Sequence, residues 1–290
     1  MTTSPSVGPT RLGLLLSESF AYTKAHLQTI VVGALVFGVV VGALQMAFGA
    51  KVLGDVSRGM NDMGMDTERM AQLSARMEAG DETALAELEA LLEDTFGDMS
   101  EDDIARQMMG GGMMTSLLPT IGVGMILGWI LSLLAYAYFV LVAVEGKDLS
   151  GTLARMQKVT LPLLGVMIWS FLRSFAWIPI LGIIPAIILG PRFVAAPLIH
   201  LTEGKGVMAS VADSYTRTRG YWGKIIGNMI VAGLCGVIAI IVVNMVLGLI
   251  LGVVPMLLLM TVQIVGQLYM AWLAVFSIRL SHTVLQHPIA

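Results

Sequence analysis

The sequence predicts an all-α integral membrane protein. Six transmembrane helices are expected, built as three repeats of an amphipathic interfacial helix plus a transmembrane hairpin, with a small helical extracytoplasmic insertion between the first two spans. Three observations predict this. Of 290 residues, 56% are hydrophobic and 13% charged, against about 25% charged in soluble domains. Apolar runs near the roughly 20 residues that cross a bilayer recur along the chain. The net charge of −3 is also unevenly divided: residues 51–115 hold fifteen acids and five bases, and the remainder holds five acids and twelve bases.

Residues 1–26 read as a cytoplasmic leader followed by an interfacial helix, in which Leu12, Leu15, Leu16, Phe20 and Ala21 recur at helical spacing between Arg11, Glu18 and Lys24. The leader is too long, and the apolar run after it exceeds the 7–15 residues of a signal core, so a cleaved signal peptide is excluded. The first span covers 27–49. Residues 50–116 form an acidic, Met-rich insertion with three short helices: one marked by Met70, Leu73 and Met77, one by Leu85 to Phe96, and one capped by Ser100 and ended by Gly110-Gly111-Gly112. The second span covers 117–144, and a basic interfacial helix covers 145–159. A hairpin of spans three and four follows at 160–201, with Pro191 kinking or breaking the fourth. A second basic interfacial segment, 202–224, leads to a hairpin of spans five and six at 225–281 and a short tail, 282–290.

Short loops that carry Lys and Arg alternate with loops that carry none. The positive-inside rule therefore sets both termini in the cytoplasm and residues 50–116 outside. The repeat is read from Val144-Glu145-Gly146-Lys147 beside Thr202-Glu203-Gly204-Lys205, and from Glu18-Ser19-Phe20 beside Asp213-Ser214-Tyr215. Parallel repeats of this kind recur in membrane proteins.

The pattern Arg192-Phe193, Pro197, Glu203-Gly204, Ser214, Thr218-Arg219-Gly220-Tyr221-Trp222 resembles the membrane domain of bacterial glycerophosphodiester phosphodiesterases and the YciC-like inner-membrane proteins. The resemblance is best over 190–227. It implies an inner-membrane anchor or scaffold. It does not imply hydrolysis, because the soluble catalytic barrel of those phosphodiesterases has no counterpart here. The insertion at 50–116 departs from the family pattern.

Few residues invite chemistry. Arg192 falls about 17 Å into an unbroken fourth span, near the midplane, where an ionisable group signals either function or satisfaction of carbonyls freed by Pro191. Gln263 and Gln267 share a face of the sixth span, and Asn244 lies on the fifth. With Arg192 they make a candidate polar cavity for a ligand or lipid, or simple interhelical glue. Lys24, Lys147, Arg155, Lys158, Lys205, Arg217, Arg219, Lys224 and Trp222 form a candidate headgroup-binding set. Met60, Met63, Met65, Met108, Met109, Met113 and Met114 offer thioethers to Cu(I), or else adaptable packing. The lone Cys235 excludes a disulfide framework. The histidines His26, His200, His282 and His287 fall at cytoplasmic membrane ends or in the tail, none with a nucleophile beside it. Gly38/Gly42, Gly124/Gly128 and Gly248/Gly252 mark close helix contacts, within the chain or in a homo-oligomer.

The leading functional expectation is a non-enzymatic inner-membrane scaffold that grips lipid headgroups and docks a protein partner through its outer cap. No nucleic-acid binding is expected. The alternatives are a transporter or lipid-handling protein using the polar cavity, and Cu(I) handling.

Overall fold

The computed structural model describes residues 11–62, 66–81, 83–96, 112–175 and 188–286. Of the described residues 91% are helical, and no strand occurs among them. Ten α-helices are described: α1 (Leu12–Ala25), α2 (Leu27–Asp62), α3 (Thr67–Glu78), α4 (Thr83–Phe96), α5 (Gly112–Glu145), α6 (Leu149–Phe175), α7 (Ala196–Glu203), α8 (Val207–Arg217), α9 (Trp222–Leu251) and α10 (Pro255–Gln286). A 3-10 turn, Gly190–Phe193, precedes α7. Among the described residues, four stretches suit a membrane crossing by length and composition: Leu27–Asn61, Leu117–Glu145, Trp222–Leu251 and Pro255–Gln286. They mark a membrane protein.

Several boundaries differ from the sequence expectation. The first apolar helix does not stop at residue 49 but runs on to Asp62, since nothing from Ala50 to Asn61 breaks a helix. Of the triple glycine, Gly112 opens α5. The expected interfacial helix 145–159 and the third span are one continuous helix, α6, with Pro162 inside it. Pro191 does break the chain: residues 188–203 form a 3-10 turn and the eight-residue α7. Residues 176–187, the rest of the expected fourth span, lie outside the described residues, as does the helix expected after Ser100.

The chain divides into two units, 1–42 with 130–290, and 43–129. The first holds the main core. Residues 137–143 of α5 are all buried, among Ile30 and Ala34 of α2, Leu163 and Met167 of α6, Leu198 of α7, and Ala271, Ala274 and Val275 of α10. So many alanines at the contact let backbones approach closely. Glycine does this most strongly at Gly38, where an added Cβ would stand 2.8 Å from the Ile264 Cα. Gly38 and Gly42 both meet α10, so this pair serves a contact within the chain. Because the obstacle is backbone, Gly38→Ala is expected to cost about 1–3 kcal/mol by overpacking. Gly128→Ala, with nothing within 4 Å of its Cβ, is expected to leave thermal unfolding unchanged. A second cluster joins Leu15 of α1 to Ile225 of α9 and Phe276, Leu280 and Val284 of α10. The N-terminal helix, the start of α9 and the end of α10 therefore meet at one end of this unit. Along α9, Ile230, Leu234, Ile238, Ile241, Met245 and Leu249 stand exposed, as expected of a surface facing lipid rather than water.

In the second unit, Asp55 of α2 is buried and held by Lys51 at 3.1 Å, Arg58 at 3.2 Å and the Thr120 hydroxyl of α5 at 3.0 Å. Asp66 caps α3 by accepting from the Arg69 amide at 3.0 Å. The α3–α4 turn is tied by Arg76, which pairs with Asp81 at 2.8 Å and Glu87 at 2.9 Å. The Thr83 side chain, then Arg76, hold the Asp81 carboxyl down to about 2. Its folded value lies below its unfolded one, so its contribution is present above about pH 4 and lost as pH falls toward about 2. Amide-exchange protection at the α3–α4 turn is expected to fall across that window, and Asp81→Asn to lower protection at neutral pH and flatten the profile.

Candidate functional site

Arg192, Phe193, Ser214 and Thr218, four of the residues that carry the family resemblance, come together as one joint. Pro191 ends helical continuity, and the freed Arg192 carbonyl accepts two hydroxyl bonds from α8, from Ser214 at 2.7 Å and Thr218 at 3.0 Å. Both hydroxyls are fully buried. Next along, the Val194 carbonyl accepts from the Ser281 hydroxyl of α10 at 3.1 Å. Phe193 stacks on Tyr215 with ring centroids 6.0 Å apart. This joint lies level with the last turns of α10 and the turn that opens α9. Counting along an unbroken helix put Arg192 near the midplane, and the break removes that inference.

The Arg192 guanidinium lies 4.8 Å from the Tyr215 ring centroid, and its Nε is buried without an acceptor among the described residues. Arg173 of α6 reaches the same ring at 5.8 Å and the Phe193 ring at 5.9 Å. Cation–π attraction holds both. Neither arginine forms an ion pair among the described residues. α6 and α8 run side by side in the same direction, since Gly165 abuts Val207 and Arg173 meets Tyr215 eight residues further along each helix.

Between α5, α6, the 3-10 turn and α9 lies an apolar cavity of about 760 Å³, lined by Tyr136, Met167, Ser170, Pro191, Phe193 and Ile226 among others. The Ser170 hydroxyl is buried without a partner among the described residues. Arg173 stands between the lining residues Phe171 and Ser174, and Arg192 between Pro191 and Phe193. The two arginines are thus sequence neighbours of residues that line an apolar hollow, in which one hydroxyl has no partner among the described residues, and both guanidiniums gather at the Tyr215 ring.

The expected polar cavity is not assembled. Asn244 is 22 residues along α9 from Trp222, about 33 Å at helical rise, whereas Arg192 lies beside the start of that helix. Gln263 packs near Gly42. Asn244 Oδ1 and Gln267 Oε1 are buried without partners among the described residues, and none of the four residues lines the cavity above.

The headgroup set splits by partner. Glu145 takes Lys147 at 2.7 Å and Arg155 at 2.8 Å. Glu203 takes Lys205 at 2.8 Å, and also Arg217, while Lys205 further bonds Asp213. Lys205 first, then Arg217, hold the Glu203 carboxyl below its ordinary value. Lys24, Lys158 and Arg219 form no ion pair among the described residues, and Lys224 lies 5.7 Å from the Tyr221 ring. Trp222 is exposed. His200 bonds the Lys205 carbonyl through Nδ1 at 2.6 Å. The two Glu-Gly-Lys corners share one geometry: a helix ends at the glutamate, the glycine turns left-handed at φ +59° or +67°, the lysine folds back, and an arginine from the next helix closes on the same carboxylate. Left-handed φ is why glycine is required there.

Met63, Met65, Met108 and Met109 lie outside the described residues, so the Cu(I) expectation falls largely outside them. Met60 sits in α2, and Met113 and Met114 in the first turn of α5.

Sequence reasoning missed a second, polar cavity of about 350 Å³, lined by Tyr22, His26, Glu145, Thr202, Arg279 and His282 among others. The only signal available was that two histidines and Arg279 fall at the same membrane end.

No family model matches the chain, and no curated protein or solved structure matches it either. The resemblance over 190–227 rests on those residues alone.

Proposed function

We propose that the protein is a non-enzymatic integral protein of the bacterial inner membrane that holds an anionic phospholipid at the Arg173–Arg192–Tyr215 cluster. The observation that carries this reading is the conjunction of an apolar cavity of about 760 Å³ with two neighbouring arginines that have no carboxylate partner among the described residues. An acyl chain fills the hollow, the Ser170 hydroxyl bonds an ester oxygen, and the guanidiniums take the phosphate. Lys24, Lys158 and Arg219 add attraction to anionic headgroups around the same end.

Both termini are cytoplasmic and residues 50–116 extracytoplasmic by the distribution of short-loop charge. The crossings are α2, α5, α9 and α10, with α6, α7 and α8 set in the cytosolic leaflet. The parallel packing of α6 on α8 supports four crossings over six, because it brings the C-terminal end of α6 back to the opening of α9. The shared wiring of the Glu145 and Glu203 corners supports two copies of one unit. The docking of a partner on the outer cap and Cu(I) binding have no supporting observation among the described residues.

The test is lipid analysis of the purified protein after exchange into zwitterionic nanodiscs. Retained phosphatidylglycerol or another acidic phospholipid, lost in Arg173→Gln/Arg192→Gln with the thermal transition preserved, supports the reading. Equal recovery from the wild type and the double variant would end it.

A further inference from the structure

We infer that the polar cavity between α1, the end of α5, α7 and α10 is a binding site for a phosphate-type oxyanion, separate from the proposed lipid site. Three donors converge on it from two places in the fold: the Arg279 guanidinium and the His282 imidazole one turn beyond it, both on α10, and the His26 imidazole at the α1–α2 joint. Arg279 forms no ion pair among the described residues, and its buried Nε has no acceptor. Its guanidinium is braced face-on at 4.3 Å over the Tyr22 ring. That ring is itself fixed by a 2.7 Å bond from its hydroxyl to the Val142 carbonyl and by contact with His26 at 4.4 Å between centroids. A braced guanidinium with free donors suits a tetrahedral oxyanion better than a point charge would.

The one acid in the wall, Glu145, does not compensate Arg279. Its carboxylate is taken by Lys147 and Arg155, so the cavity carries net positive charge before either histidine is counted. Its opening is kept by Gly146. A Cβ there would stand 3.1 Å from the Tyr22 hydroxyl and 3.3 Å from His26 Nε2, so any other residue would crowd the donors. About 350 Å³ holds a phosphate group with its first waters. Because the cavity lies at the end of a lipid-facing bundle, the oxyanion comes either from free phosphate or from a phosphomonoester headgroup.

The test uses the full chain in zwitterionic nanodiscs, titrated with inorganic phosphate by calorimetry, and a parallel set containing phosphatidic acid, followed by 31P NMR. Saturable phosphate binding, weakened about tenfold or more in Arg279→Gln as one charge-assisted contact predicts, supports a free oxyanion. Binding seen only with phosphatidic acid, and weakened equally, supports the headgroup. Arg279→Gln also unstacks Tyr22, so His282→Gln, at an exposed side chain, serves as the second variant. It is expected to weaken binding several-fold with an unchanged melting transition. Neither ligand binding, or binding indifferent to both substitutions, overturns the site. Arg173→Gln/Arg192→Gln should leave it intact, which separates its fate from that of the lipid reading.

Discussion

Tyr215→Ala is expected to lower stability by about 2–4 kcal/mol and to abolish retention of acidic phospholipid, while Tyr215→Phe preserves both. The ring is the shared contact of the joint. It stacks on Phe193, receives Arg192 at 4.8 Å and Arg173 at 5.8 Å, and packs in a cluster with buried Val166, Phe193, Ala196 and Val211. Truncation to alanine removes an aromatic body and leaves a cavity, a loss of about 3–5 kcal/mol where burial is complete. Tyr215 is only partly buried, which lowers that figure. Two cation–π contacts of about 0.5–1 kcal/mol each go with it. Without the ring, Arg192 and Arg173 are no longer held beside one cavity, so their joint grip on a phosphate disappears even where the fold survives. Phenylalanine keeps the π face and the volume. Thermal unfolding in detergent and lipid extraction from zwitterionic nanodiscs read the two effects separately. Full lipid retention by Tyr215→Ala would mean that the arginines are positioned by something other than this ring.

What could be read from the chain depended on the sequence distance over which each feature is determined. The Glu145-Gly146-Lys147 and Glu203-Gly204-Lys205 corners were legible because a helix stop, a left-handed glycine and a returning base all lie within about fifteen residues. Helices α3 and α4 were legible from apolar spacing and from Gly80, which takes φ +86° at the turn. The extent of α2 was not, since the hydropathy of its apolar stretch fades before its helical propensity does. Arg192 was singled out as an expensive charge in an apolar run, with a depth counted along an unbroken helix. Depth by counting assumes an unbroken helix, and the same Pro191 that flagged the site breaks it. The contacts of Arg279 were beyond reach: the cavity draws on positions 22, 26, 145, 202, 279 and 282, and no local pattern links them.

A cysteine at position 182, in a background where Cys235 is replaced by serine, is expected to be unreachable by a membrane-impermeant maleimide applied from outside the cell. Leu85→Cys, an exposed position in α4 of the acidic insertion, should label fully. The two outcomes differ in kind rather than degree, because they follow from opposite routes of the chain after α6. If α6 crossed the bilayer, its C-terminal turn and the residues after it would emerge on the same side as the insertion, and position 182 would label from outside as Leu85→Cys does. The observed contacts oppose that route. Arg173, in the last turn of α6, meets Tyr215 of α8. Three residues after Tyr215, Thr218 bonds the Arg192 carbonyl, and α9 begins at Trp222. The start of α9 shares a cluster with Leu15 of α1 and Val284 of α10, both at the cytosolic end in the proposed arrangement. A helix of 27 residues is about 40 Å long, so were it upright its two ends could not both meet elements at the cytosolic end. In the proposed arrangement it lies strongly inclined, with its apolar second half in the leaflet and the basic first half, carrying Arg155 and Lys158, at the headgroups. Labelling of position 182 from outside, at the level of the Leu85→Cys control, would restore the six-crossing arrangement and detach the lipid site from the cytosolic leaflet.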